Sequence, residues 1–226
     1  MLEDFLVSSN FALMKFGTES LCNGNEYLDR QVIDKIAQVS LALYNKGKRV
    51  SIVTSGGVVC GQELLGRTSD ISQRQHLSNI GSSLLRDLYS TAFEKYGLRF
   101  RYFPLDESHL DFKNGLSELV NSNLDSGIIS GFNNIDVNGD NDPLAAKLAK
   151  IFGADSVVFF SNHGNRGSGG GESKKLALDY LKNNNIRSHV CAIEELQNLY
   201  INWGKVHHKF EHTSKICKSQ FTRGTH

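Results

Sequence analysis

Short apolar runs of five or six residues recur along this chain, and between them the apolar residues change to helical spacing. That alternation constrains the fold more than any other feature of the sequence. Phe11-Ala12-Leu13-Met14-Lys15-Phe16 reads as a buried strand stopped by Gly17-Thr18, and from Leu28 the residues Val32, Ile36, Val39 and Leu43 mark an amphipathic helix with Gly47 as its C-terminal cap. Arg49 to Thr54 gives a second strand, which ends in Ser55-Gly56-Gly57 before an apolar stretch to Leu65-Gly66. Ile80, Leu84, Leu88, Ala92 and Tyr96 form an i, i+4 stripe that reads as core, closed by Gly97. Arg99 to Phe103, Gly127 to Ser130, Ser156 to Phe160 and His189 to Ile193 are further strands; Phe112 to Val120, the stretch through Phe152, the stretch from Leu176 and Glu194 to Tyr200 are helices. The order predicts a three-layer α/β/α sandwich around a mainly parallel central sheet, with ligands collecting beyond the carboxyl ends of the strands.

Composition narrows the class. The 226 residues are 39% hydrophobic and 22% charged, which fits one globular domain, expected over residues 1–210, with a polar tail over 211–226. A formal net charge of +1 gives no global field for nucleic acid, so a small-molecule partner is expected. Cys22, Cys60, Cys191 and Cys217 form no Cys-x-x-Cys pair and read as buried thiols in a reducing compartment. No apolar run reaches the length of a membrane span, and Glu3 and Asp4 stand where a signal peptide would be positive, so a cytoplasmic location without a membrane partner is expected. His207, His208 and His212 lack a carboxylate or cysteine at ligand spacing and read as a solvated tail.

Polar groups gather at the strand ends. In Gly139-Asp140-Asn141-Asp142-Pro143, Asp142 suits a helix N-cap and Pro143 the first helical position, so the loop is either a cap or a holder for a charged ligand. Lys15, late in an apolar strand, either reaches solvent or faces an anion near Gly17. Ser55, with Gly56 and Gly57, and Ser161-Asn162 complete a candidate site at one sheet edge. Gly164 to Lys175 is glycine-rich and enters a helix, but it is neither a Walker A loop nor G-x-G-x-x-G; it is a linker or an oligophosphate wrap.

Together these segments resemble the amino-acid kinase family, and within it the glutamate 5-kinases. Met14-Lys15-Phe16-Gly17-Thr18 is similar to the family's V-K-L-G-[ST], and Val53 to Gly66 is similar to V-[ST]-S-G-A-[IV]-x-x-G-x-x-x-L-G. Gly139-Asp140-Asn141-Asp142 matches G-D-N-D, and Gly167-Ser168-Gly169-Gly170-Gly171-Glu172-Ser173-Lys174 resembles G-T-G-G-M-x-T-K. The resemblance implies transfer of the γ-phosphoryl group of ATP to a carboxylate. Lys15 and Lys174 would stabilise the transferring group, and Asp142 would hold the lysines. Because Lys175 follows directly, either lysine can be the functional one. Ser55, Asn141 and Asp136 would bind the amino acid. Lys15, Gly17, Thr18, Gly56, Gly57, Ser161, Asn162, Ser168, Gly169, Gly170, Gly171, Glu172, Ser173 and Lys174 would bind nucleotide. ATP implies Mg²⁺, with no protein metal ligands assigned, and the family implies a homo-oligomer.

Three departures accompany the match. The family's N-E-N-D stands here as Asn133-Asn134-Ile135-Asp136, and Ser161-Asn162-His163 leads almost at once into the glycine-rich loop, where the family has several tens of residues around the nucleotide. The C-terminal RNA-binding-like domain of many glutamate 5-kinases is not expected after Phe210. Three readings follow: a glutamate kinase of proline biosynthesis, a kinase-like protein that binds without turnover, and a kinase of the same fold with another acceptor.

Overall fold

The computed structural model describes residues 1–66, 73–135, 140–161 and 170–207. Six strands form one sheet in the order β3-β4-β2-β1-β5-β6, every neighbouring pair parallel. They are β1 (Phe11–Phe16), β2 (Arg49–Thr54), β3 (Arg99–Leu105), β4 (Ile128–Asn134), β5 (Ser156–Phe160) and β6 (Arg187–Cys191). The central strands β1 and β5 are buried throughout, as expected of strands covered on both faces.

Which face each helix covers follows from the direction of travel. From β1 to β2 to β3 the chain steps one way across the sheet, and from β3 through β4 and β5 to β6 it steps the other way. Right-handed crossovers then put the connecting helices on opposite faces. One core contains α3 (Arg30–Asn45) and α5 (Arg74–Glu94), joined by α1 (Leu2–Val7) and α9 (Ile193–His207). The other contains α6 (Lys113–Asp125), α7 (Asn141–Phe152) and α8 (Gly170–Asn183). Side chains of β1 alternate between them: Ala12, Met14 and Phe16 enter the first core, Phe11 and Leu13 the second. Lys15 therefore points toward α7 and α8.

The expected elements are present with shifted bounds. The helix expected from Phe112 runs over Lys113–Asp125, preceded by a 3-10 turn at Glu107–Phe112 that Asp106 caps through Ser108 N at 2.9 Å. Strand β4 continues to Asn134 because β3 pairs with it along its whole length. Strand β6 begins at Arg187, and Ile193 opens α9 instead of ending the strand. The short helices α1 and α2 (Thr18–Cys22) were not expected.

The core stripe of α5 also differs from expectation. Its buried face is Leu77, Ser78, Gly81, Leu85, Tyr89, Ala92 and Phe93, so of the expected stripe Ala92 is core, whereas Leu84 and Leu88, with Tyr96 beyond the helix end, are only partly buried and flank the core. The reason is the crossing with α4 (Gly57–Leu65). A Cβ on Gly81 would lie 1.9 Å from Gly57 O and 2.4 Å from Gly61 N, and one on Gly61 would lie 2.2 Å from Leu77 O. The two backbones touch, so the smallest residue, not the most apolar, sets the rotation of the helix. Gly81→Ala is expected to lower stability by about 1–3 kcal/mol or more through overpacking. Gly115→Ala, in α6 where a Cβ meets nothing within 4 Å, is expected to raise it by roughly 0.5–1 kcal/mol; urea unfolding midpoints of the two variants test the contrast.

Candidate active site

Two lysines and one aspartate, each nearly inaccessible to solvent, meet at the carboxyl edge of the sheet. Lys15, Asp142 and Lys174 are 6%, 4% and 4% exposed. Lys15 comes from the end of β1, between Val53 of β2 and Phe159 of β5. Asp142 lies in the first turn of α7 and Lys174 in the second turn of α8. Lys15 Nζ makes an ion pair with Asp142 Oδ1, and Lys174 Nζ donates to Asp142 Oδ2 at 2.8 Å. The Lys174 ammonium also lies 5.3 Å from the centre of the Phe159 ring.

Local chemistry places the aspartate. Asp142 is not the N-cap of α7; Asp140 is, and its Oδ1 accepts from Asp142 N at 2.9 Å. Pro143 consequently sits in the third helical position, where its missing N–H still costs no intrahelical bond. With the capping task taken by Asp140, both oxygens of Asp142 are left for the lysines. Burial pushes the Asp142 carboxyl up, but the Lys15 charge and the hydrogen bonds from both lysines outweigh it and hold the group below its usual range. The trio carries a formal charge of +1. Such a buried surplus favours an anion beside it.

A cleft opens over the trio, lined by Lys15, Asp142 and Lys174 together with Gly17, Thr18, Ser55, Asp140 and Ser161. Beside it Asn141 ties three elements. Its Nδ2 donates to Ser55 Oγ at 3.0 Å and to Asn133 Oδ1 at 3.1 Å, and its Oδ1 accepts from Asn134 N at 2.9 Å. The ends of β2 and β4 are thereby fixed to α7.

Several residues named from sequence fall elsewhere. Gly56 and Gly57 are buried behind Ser55 and do not line the cleft. Gly56 has φ +105°, and a Cβ on Gly57 would lie 2.8 Å from Ser78 Oγ, so turn geometry and packing account for both glycines. The Gly17 amide faces Phe160 O at 3.5 Å, continuing the strand pairing. Gly171 and Glu172 are exposed, Ser173 is half-buried, and Gly170 opens α8. Lys175 is exposed, so the lysine facing Asp142 is Lys174. Asp136, Asn162, Ser168 and Gly169, with His208, His212, Cys217 and the 211–226 tail, lie outside the described residues. Cys22, Cys60 and Cys191 are free, buried thiols. The sequence reading assigned no site role to Asn133 or Phe160, although Asn133 opens the stretch that is compared with N-E-N-D, and that was its signal.

Among the described residues the donor set does not make a magnesium cage. Both oxygens of Asp142 face lysines, Asp140 is engaged as a cap, and Glu19, which also lines the cleft, is exposed. Mg²⁺ would enter on a nucleotide and not through a dedicated protein site. No helix among the described residues is long and apolar enough to cross a membrane.

The structure is thus a parallel α/β/α sandwich with two buried lysines and their shared aspartate over the ends of its central strands. The chain belongs to the amino acid kinase family, whose model matches residues 10–164. It is similar to the glutamate 5-kinase of Alkaliphilus metalliredigens, with 31% identity over 179 residues, covering 72% of this chain and 66% of the relative. Against the glutamate 5-kinase of Listeria innocua the identity is 30% over 179 residues, covering 71% and 64%, and against that of Streptococcus thermophilus 28% over 167 residues, covering 66% and 62%. The chain thus spans slightly less than two thirds of the length of these relatives.

The charge count orders the variants. Lys15→Met leaves a balanced Lys174–Asp142 pair, whereas Asp142→Asn leaves two buried ammonium groups without a counter-charge. Asp142→Asn is expected to cost roughly 3–5 kcal/mol and Lys15→Met clearly less. Because the folded carboxyl is held below its ordinary value of 3.8, its contribution is full above that value and lost as the pH falls through the lower folded one. The stability gap between the native chain and Asp142→Asn should therefore be flat near neutrality and close in acid; guanidinium unfolding across pH measures it.

Proposed function

We propose that the chain is an ATP-dependent kinase of a carboxylate, with the side chain of L-glutamate as acceptor and proline biosynthesis as its setting. The observation that supports it best is the Lys15–Asp142–Lys174 trio under an open cleft at the carboxyl edge of β1. A carboxylate is already ionised near neutral pH, so its phosphorylation needs no general base. What it needs is neutralisation of the charge on the transferring phosphoryl group and in-line positioning of the two reactants.

The residues suit those tasks. Lys15 and Lys174 approach from different layers, one from the sheet and one from α8, and would bracket the equatorial oxygens of the transferring group. Asp142 fixes the separation of the two ammonium groups and lowers the cost of burying them. Ser55 and Asn141, hydrogen-bonded to one another, would receive the amino acid, with Asp136 on its ammonium. Thr18 and Ser161 at the cleft, with Gly170 to Ser173 at the start of α8, would meet the nucleotide. The names of the curated relatives support glutamate as acceptor. A cytoplasmic location, Mg²⁺ delivered with ATP and a homo-oligomeric state belong to the same reading.

ADP release from Mg-ATP, measured with L-glutamate, L-aspartate, other small carboxylates and no acceptor, is the direct test. Glutamate-dependent turnover is expected, falling about 10²–10³-fold or more in Lys15→Met and in Lys174→Met, since each removes a charge aimed at the transition state. Asp136→Ala is expected to raise the KM for glutamate with a smaller effect on kcat. Turnover with another acid alone would replace the acceptor. No turnover and no ATP binding would overturn the kinase reading in favour of a non-catalytic member of the family.

A further inference from the structure

On the opposite face of the sheet from the lysine trio, three side chains of different chemistry converge without an assigned task. His189 and Cys191 are two residues apart on β6 and so share a face, while Glu195 rises from the first turn of α9. One ligand atom from each, an imidazole nitrogen, a thiol sulfur and a carboxylate oxygen, lie within 4.8 Å of one another. Cys191 is 5% exposed, and His189 and Glu195 are half-buried. None of the three forms an ion pair with another described residue. The His189 ring is seated against Phe5, with centroids 5.4 Å apart.

We propose that His189, Cys191 and Glu195 bind one zinc ion. A thiolate, an imidazole and a carboxylate form the mixed S/N/O set that suits a borderline-soft, tetrahedral cation, with water in the fourth position. Zinc bonds of about 2.0–2.3 Å place ligand atoms about 3.3–3.8 Å apart, so the set closes by rotation of the two half-exposed side chains around the buried sulfur. Binding exchanges the Cys191 thiol proton for the metal: one S–H bond breaks, one S–Zn bond forms, and the proton leaves to solvent. No change of oxidation state is involved.

The consequence is a clasp between an edge strand and the helix that follows it. Cys191 O accepts from Ser161 N at 2.9 Å, and Ser161 lines the cleft. A metal on Cys191 would thus brace the wall of the cleft from behind, one backbone hydrogen bond away from a residue that lines it. The pattern His-x-Cys-x-x-x-Glu is visible in the sequence but spans a strand end and a helix start, so only the turn between them makes it a cluster.

The test uses the full chain, stripped with chelator and titrated with Zn²⁺ against a chromophoric competitor, and separately with Co²⁺. One equivalent is expected, with a thiolate-to-cobalt charge-transfer band, and Zn²⁺ should raise the melting temperature by several degrees. Cys191→Ser, His189→Ala and Glu195→Gln should each weaken the affinity at least 10-fold. Glu195→Gln keeps the shape of a half-exposed side chain, and the cobalt band of the native chain reports sulfur ligation without any variant. No binding, no thiolate band, or an equivalent that survives all three substitutions but disappears when His208, His212 and Cys217 are replaced would overturn the proposal. Metal binding is read without any kinase assay, so its failure is separate from failure of the proposed activity.

Discussion

One carboxylate shared by two buried ammonium groups organises the functional edge of this molecule. Asp142 lies where three elements of the chain meet: the sheet through Lys15, α7 through its own backbone, and α8 through Lys174. Burying two lysines is costly, and a single counter-charge reduces that cost without cancelling the charge. The imbalance is the useful part. A fully compensated network would be a structural staple, whereas a trio of net charge +1 under a cleft favours an anionic guest.

The rest of the fold supplies the conditions for that contact. Because the chain reverses its direction across the sheet, β1 has β2 on one side and β5 on the other, and the crevice above it is open to residues from both halves. Right-handed crossovers bring α7 and α8 to the face that Lys15 shares with Phe11 and Leu13. Asp140 caps α7 and so releases Asp142, while Asn141 ties the ends of β2 and β4 to the same helix turn. Three consecutive residues thus perform three different tasks, each needing a short polar side chain held at a helix start. On the other face α4 and α5 cross with backbones in contact through Gly57, Gly61 and Gly81, which fixes the turn that presents Ser55.

The relation to the glutamate 5-kinases is a sequence match over slightly less than two thirds of their length. The matched stretch contains the ends of β1, β2, β4 and β5, which carry Lys15, Ser55, Asn133 and Ser161. Lys174 lies past it, and enters the site because α8 packs beside α7. Phosphoryl transfer rests on charge and position more than on covalent steps. In the proposed reaction Lys15, Lys174, Asp142 and the polar groups of the cleft would supply that charge and position.

The sequence by itself determined the class of fold. Apolar runs such as Phe11 to Phe16 and Ser156 to Phe160 can be satisfied only by burial on both faces, and their alternation with helical stripes leaves a parallel sheet between helix layers. It also located the polar groups at strand ends, because a lysine late in an apolar strand and serines just beyond strands have few other places to go. Tertiary structure decided what local patterns could not. Whether Asp142 caps a helix or binds lysines depends on Asp140 and on a side chain 32 residues away. The choice between Lys174 and Lys175 depends on which face α8 turns to α7, and the buried stripe of α5 depends on the backbone crossing at Gly81. Each is set by packing between distant segments, and hydrophobic periodicity contains no information about which neighbour a face will meet.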